Sequence, residues 1–131
     1  MEMVLANNTR LNVDPVWKHY ENVEYIEIDF SGLTTDDEII DYVLKAVDLG
    51  MRRPDKSIRA FVYAYQMKTS PRAMRTIKML GKQVQPKMKK SVIVGASGIL
   101  SLLMKIYISY TKSNIKYFTD KETAMKYLIN D

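Results

Sequence analysis

The fold is decided by residues 89–107, which read KKSVIVGASGILSLLMKIY. Two lysines lead into the β-branched run 91–94, which predicts a buried strand. The turn GASG follows at residues 95–98, and residues 99–111 then predict a helix with apolar side chains on nearly every side. A buried strand, a glycine turn and a helix in succession form the building unit of an α/β domain with a parallel sheet.

The rest of the chain alternates in the same way between extended and helical patterns. Residues 58–65, IRAFVYAY, are β-branched or aromatic and predict a central strand. The segment around His19 shows no strand pattern, and we expect it to be irregular. In all, strands are expected at residues 3–6, 23–30, 58–65, 91–94 and 115–118.

Capping signals mark the ends of the helices. Thr35 stands three residues before Glu38, which is the spacing of a capping box, and Gly50 ends the apolar periodicity that follows. By the same signals, a second helix has Ser70 as N-cap and Pro71 at its first position, and it stops before Pro86. A third helix covers residues 99–111. The last helix begins with Thr119 and Glu122, which have the spacing of a capping box.

This order of elements predicts one α/β domain over residues 1–131. A chain of 131 residues can form one core and is too short for two ordinary domains. The alternation of strands and helices after residue 30 predicts right-handed crossovers and a largely parallel sheet. The first strands are expected to add an antiparallel edge, which makes the sheet mixed.

Several classes of function are excluded by residues that the chain lacks. It has no cysteine and one histidine, His19, so a disulfide framework, a thiolate zinc site and a cysteine nucleophile are ruled out. The GASG turn lacks the lysine and hydroxyl of a phosphate-binding P-loop and the third glycine of a dinucleotide fingerprint. We therefore expect a protein that is not an enzyme, with no metal and no cofactor.

Signals for secretion or for crossing a membrane are also missing. The first residues, MEMVLANNTR, lack the basic start and the long apolar core of a secretory signal. No apolar run approaches the roughly 18 to 20 residues that a membrane-spanning helix needs. We expect a cytoplasmic protein, and peripheral contact with a membrane stays an open alternative.

The helix expected at residues 99–111 carries more apolar surface than one sheet face can cover. Only Ser101, Lys105 and Ser109 form a polar stripe on it. The surplus predicts a contact with a neighbouring helix, a second copy of the chain, an acyl chain or a bilayer surface. The residues expected to make this contact are Leu102, Leu103, Ile106, Tyr107 and Tyr110.

The helix expected after Ser70 is basic on one face, in a chain of net charge +5. Arg72, Arg75 and Lys82 lie on that face together with the apolar Met79. A basic stripe of this kind suits an anionic membrane surface, although a solvated face is the commonest outcome. Phosphates of a nucleic acid would also fit, but no nucleic-acid motif accompanies the stripe, which disfavours that partner. Ser97, at the start of the next helix, is a candidate anion site.

Four stretches carry a resemblance to a known family: YIEIDFSGLTTDDEIIDYV, SIRAFVYAY, KKSVIVGASGILSLLMKIY and NIKYFTDKETAMKYL. Over about residues 20–130 the chain resembles the SpoIIAA-like group of the STAS superfamily, which is often labelled together with the eukaryotic lipid-transfer CRAL-TRIO type. The resemblance implies a mixed sheet of four to five strands with about four helices packed mainly on one side. It also implies a non-enzymatic role, in membrane association and apolar-ligand binding or in docking a partner protein.

The resemblance further draws attention to the start of the second helix. In anti-sigma factor antagonists of the superfamily a serine at this place is phosphorylated and controls partner binding. Thr69 and Ser70 stand there in this chain, within the sequence Lys68-Thr69-Ser70-Pro71. We therefore expect a binding module for an apolar ligand or a membrane surface, with a signalling module controlled near Ser70 as the alternative.

Overall fold

Five strands form one sheet in the part of the chain that the structure describes. The structure is a computed structural model, and it describes residues 14–96, 98, 101, 104, 105, 109 and 115–131. The elements in chain order are β1 (Val16–Tyr20), β2 (Val23–Asp29), α1 (Asp36–Gly50), β3 (Ile58–Tyr63), α2 (Pro71–Val84), β4 (Met88–Val94), β5 (Lys116–Phe118) and α3 (Lys121–Ile129).

Two segments of the predicted order are described only in part or not at all. Residues 98, 101, 104, 105 and 109, between β4 and β5, are helical, in agreement with the helix expected there. The strand expected at residues 3–6 lies outside the described residues.

The strands follow one another across the sheet in the order β1-β2-β3-β4-β5. The pair β1–β2 is antiparallel and the other three pairs are parallel. The fold class is therefore confirmed: a mixed α/β sheet with an antiparallel edge.

The segment around His19 is not irregular, and that expectation was wrong. His19 lies in β1, which turns into β2 through Glu21 and Asn22, both with positive φ. A two-residue turn with positive φ at both positions matches the twist of a hairpin. The strand escapes sequence patterning because it lies at the sheet edge and four of its five residues are exposed, so its side chains do not alternate in polarity.

The helices cover both faces of the sheet. On one face, α1 and α2 pack over Ile28, together with the helical Met104. On the other face, α3 packs over Phe61 and Val92 through a core that includes Leu128. Crossovers of one hand that step in one direction along a sheet place their helices on one face, so the element after the last strand is left to cover the other.

Among the fully described helices α1, α2 and α3, local capping signals predict two of the three starts. The Thr35 side chain accepts from the Glu38 backbone N–H and the Glu38 carboxylate accepts from the Thr35 N–H, which completes the capping box. Ser70 caps α2 as expected. The start expected at Thr119 was wrong by one residue: Asp120 is the N-cap of α3, and the backbone N–H of Thr123, 2.9 Å from its carboxylate, lowers the pKa of Asp120.

Cations from the sheet hold the C-terminal end of α3. The buried Arg59 donates from β3 to the carbonyl oxygen of Leu128 at 2.8 Å and to the carboxylate of Asp131 at 2.7 Å. Lys90 donates to the carbonyl oxygen of Tyr127 at 2.8 Å. Positive charge at this end of a helix opposes the negative end of its dipole and satisfies carbonyl groups that the helix leaves open.

We predict that Arg59→Met lowers the free energy of unfolding by about 2 kcal/mol, because hydrogen bonds from a buried charged group are lost. Urea unfolding followed by circular dichroism measures this value. Arg52→Met is the matched control, since Arg52 is exposed just beyond the end of α1 and pairs with the exposed Asp48, where an ion pair contributes little. Equal effects of the two substitutions would contradict the role given to Arg59.

Candidate functional site

An apolar cavity of about 130 Å³ lies between one face of the sheet and the helices α1 and α2. Its floor is built from alternate residues of neighbouring strands. Ile26, Ala60 and Ser91 stand side by side on β2, β3 and β4, and the row Ile28, Val62 and Ile93 follows two residues further along. Because side chains of a strand alternate between its faces, these rows point to the same side of the sheet.

The roof comes from the inner faces of the two helices. Residues spaced at three and four positions on each helix face the sheet, as an amphipathic helix requires. Gly50 allows the two helices to lie close to each other, because a Cβ added there would stand 2.8 Å from the Val84 side chain. The roof residues are Val43, Ala46, Val47 and Gly50 of α1 and Met74, Ile77, Gly81 and Val84 of α2.

The cavity follows the length of the central strand. Its lining includes four alternate positions of the extended chain from Ile58 to Ala64, a distance of about 20 Å at the rise of a β-strand. At the carboxyl end of the strands it is lined by Phe30, Met67 and Met104. Ile115, which immediately precedes β5, lines it on the side of β4. The shape is therefore a slot rather than a sphere.

Met104 connects this slot with the apolar segment 99–111. Its side chain lines the cavity, so at least one position of that segment meets the space between sheet and helices. The five contact residues predicted in the same segment lie outside the described residues: Leu102, Leu103, Ile106, Tyr107 and Tyr110.

The chemistry of the lining is almost wholly apolar. Among the described residues that line the cavity, only Ser91 and Gln85 have polar side chains and none is charged. An apolar cavity of roughly 150 Å³ stays dry and takes up a small hydrocarbon such as benzene. This cavity can therefore hold an apolar molecule or one slim chain.

The outer face of α2 carries the predicted basic residues. Arg72, Arg75 and Lys82 are exposed on the helix whose inner face roofs the cavity. Met79 lies among them with 61% of its surface exposed. Arg72 also reaches the carboxylate of Asp36 at 3.2 Å, which ties this face to the start of α1.

The predicted phosphorylation sites, Ser70 and Thr69, lie at the start of α2. The Ser70 hydroxyl accepts from the backbone N–H of Ala73 and donates to the carboxylate of Asp36 at 2.9 Å. A phosphate there would meet the like charge of Asp36. The Thr69 hydroxyl oxygen is buried, without a hydrogen-bond partner in the described chain. Ser97 lies outside the described residues.

The described ranges contain neither a candidate metal site nor a helix that could span a membrane. No group of three or more histidine, aspartate or glutamate side chains there could hold a metal ion. Of the helices that can be described, none has the length and apolar character needed to cross a membrane.

Comparison with known proteins identifies the family. Residues 25–129 match the SpoIIAA-like family, so the chain belongs to it. The chain is also similar to the crystal structure of an uncharacterised protein of the DUF3478 family from Shewanella loihica PV-4, which has a SpoIIAA-like fold. The TM-score is 0.64 at 21% identity, over 92% of this chain and 98% of that one. No curated protein matches the chain.

Membership of this family fits a non-enzymatic regulatory or binding module. The feature that sequence reasoning missed is the slot itself. Its only sequence signal is a set of small residues at core-facing positions, namely Ala46, Gly50, Ala60, Ala64 and Gly81.

We predict that Ala60→Val raises the free energy of unfolding by about 1 kcal/mol, because the added methyl groups fill empty apolar space. The measurement is urea unfolding of protein refolded from denaturant, so that no bound molecule remains. Ala73→Val is the matched control: Ala73 is fully buried in α2 but does not line the cavity, and overpacking there costs roughly 1 to 3 kcal/mol. Destabilisation by both variants would show that the slot is already filled by protein.

Proposed function

We propose that this protein is a non-catalytic SpoIIAA-like module that binds an apolar or lipid-like ligand in the slot between the sheet and α1 and α2. The observation that carries the proposal is the cavity of about 130 Å³ with its apolar lining. An empty space of this kind costs stability, because its walls lack contact partners. A bound apolar molecule restores those contacts and is itself removed from water.

The basic face of α2 supports a second part of the proposal, in which the module meets its ligand at an anionic membrane surface. Arginine and lysine side chains near such a surface are attracted to its negative potential. The exposed Met79 between them offers an apolar group that can enter the interfacial region. Because α2 both roofs the slot and presents this face, the membrane and the slot would lie on opposite sides of one helix.

We predict that n-octyl chloride binds the wild-type protein and that Ala60→Leu weakens the binding at least tenfold, because the leucine side chain occupies the space. Trp17 reports the binding: it is the one tryptophan of the chain, and it packs against Ile26, Ile58 and Ala60. Across a series of n-alkyl chlorides, affinity should rise roughly fourfold per methylene until the slot is full.

Met79→Ser is the control for this titration, since Met79 is exposed and does not line the cavity. Its affinity for n-octyl chloride should equal that of the wild type. Native mass spectrometry of freshly purified protein provides an independent check, because a retained apolar ligand adds its mass. If the fluorescence of Trp17 does not respond to any chain length, the slot is not a binding site.

We predict that the protein binds vesicles containing phosphatidylglycerol at low salt and that Arg75→Glu with Lys82→Glu weakens this at least roughly 30-fold, from about 1 kcal/mol per basic residue. Co-sedimentation measures the bound fraction. The control carries Arg52→Glu and Lys126→Glu, two exposed cations on other elements, and should bind nearly as the wild type. Binding that is insensitive to salt, or equal loss in both variants, would contradict a specific role of the α2 face.

A further inference from the structure

The geometry points to Ser91 as the anchor for the head group of the ligand, and it assigns that ligand to the uncharged single-chain amphiphiles. This inference rests on the proposed function, because it concerns the same slot. It goes further in stating which end of the ligand lies where and which head groups the slot accepts.

Ser91 is a buried polar group inside an otherwise apolar space. Its residue surface is 7% exposed, and it lines the cavity beside Ala60 on the neighbouring strand. Among the described residues of the lining, Ser91 supplies the one hydroxyl group. A ligand that hydrogen-bonds to this hydroxyl gains free energy that a purely apolar ligand does not.

Neither of the two polar residues of the lining lies at the carboxyl end of the parallel strands. Gln85 stands in the turn immediately before β4, and Ser91 is the fourth residue of that strand. The opposite end, where the parallel strands finish, is lined by Phe30, Met67 and Met104. A ligand with one polar and one apolar end therefore fits in one direction, with its head at Ser91 and its tail towards Met104.

The head group must be uncharged. No lysine, arginine or other charged side chain of the described residues lines the slot. An ionised carboxylate taken out of water without a counter-charge is strongly disfavoured. A hydroxyl such as that of Ser91 can both donate and accept, so an alcohol meets its hydrogen-bonding capacity. Because the volume of about 130 Å³ is spread along the length of β3, the slot is narrow. A narrow slot favours a single chain over a branched lipid.

The test compares three probes with the same eight-carbon chain: n-octanol, n-octyl chloride and n-octanoate at pH 8. Affinities are measured from Trp17 fluorescence for the wild type and for Ser91→Ala. We expect Ser91→Ala to weaken n-octanol binding roughly 3- to 10-fold and to change n-octyl chloride binding less than twofold. We expect n-octanoate to bind the wild type at least roughly 100-fold more weakly than n-octanol.

Each outcome separates this inference from the function on which it rests. If n-octyl chloride does not bind at all, the proposed function fails and the inference with it. If n-octanol loses no more affinity than n-octyl chloride in Ser91→Ala, the slot stands and the assignment of Ser91 is overturned. If n-octanoate binds as tightly as n-octanol, the uncharged class is overturned. Ser91→Thr keeps the hydroxyl and should retain the preference for n-octanol, which guards against a general effect of substitution.

Discussion

The structure depends on one constraint: a parallel sheet must be covered on both faces. Four of the five strands are parallel, and Ile58–Val62 of the central strand β3 are all buried. Helices α1 and α2 cover one face of β3 and α3 covers the other. Parallel strands need helical crossovers, so the covering of one face by α1 and α2 follows from the topology. The covering of the other face depends on α3, and Arg59 holds that helix in place through the carbonyl oxygen of Leu128 and the carboxylate of Asp131.

The slot lies where α1 and α2 cover their face of the sheet incompletely. By the usual cavity term, a void of about 130 Å³ costs roughly 3 kcal/mol. That is a large fraction of the 5 to 15 kcal/mol by which small domains are stable. A larger residue in place of Ala46 or Ala60 would fill part of the void. A domain that carries such a void gains stability from any molecule that fills it, by an amount set by affinity and concentration.

Local chemistry explains which parts of this structure could be predicted from sequence. The caps at Thr35 and Ser70 are decided by side chains within three residues, so the sequence contains the whole interaction. β1 was missed because an edge strand with exposed Val16 and Tyr20 lacks the alternation that burial imposes. Asp120 was missed because the adjacent Thr119 can also cap a helix. The backbone conformation, which the sequence does not show, decides which of the two is the N-cap.

The slot could not be predicted because its volume is set by residues far apart in the chain. The excess apolar surface of residues 99–111 indicated that something had to meet it, and Met104 shows one such contact. It did not indicate that Ala60 on β3 and Gly81 on α2 would leave space facing each other. That space depends on the distance between the helices and the sheet, and the periodicity of apolar residues does not predict this distance.

Helix α2 joins the two halves of the proposal because of its amphipathic pattern. Its inner side chains, such as Ile77, close the slot, and its outer ones carry the charge that an anionic surface attracts. Its start is held to α1 by the hydrogen bond from Ser70 to Asp36, while at its end Val84 packs closely against Gly50. Helix α2, which roofs the slot, is therefore tied to α1 at both of its ends.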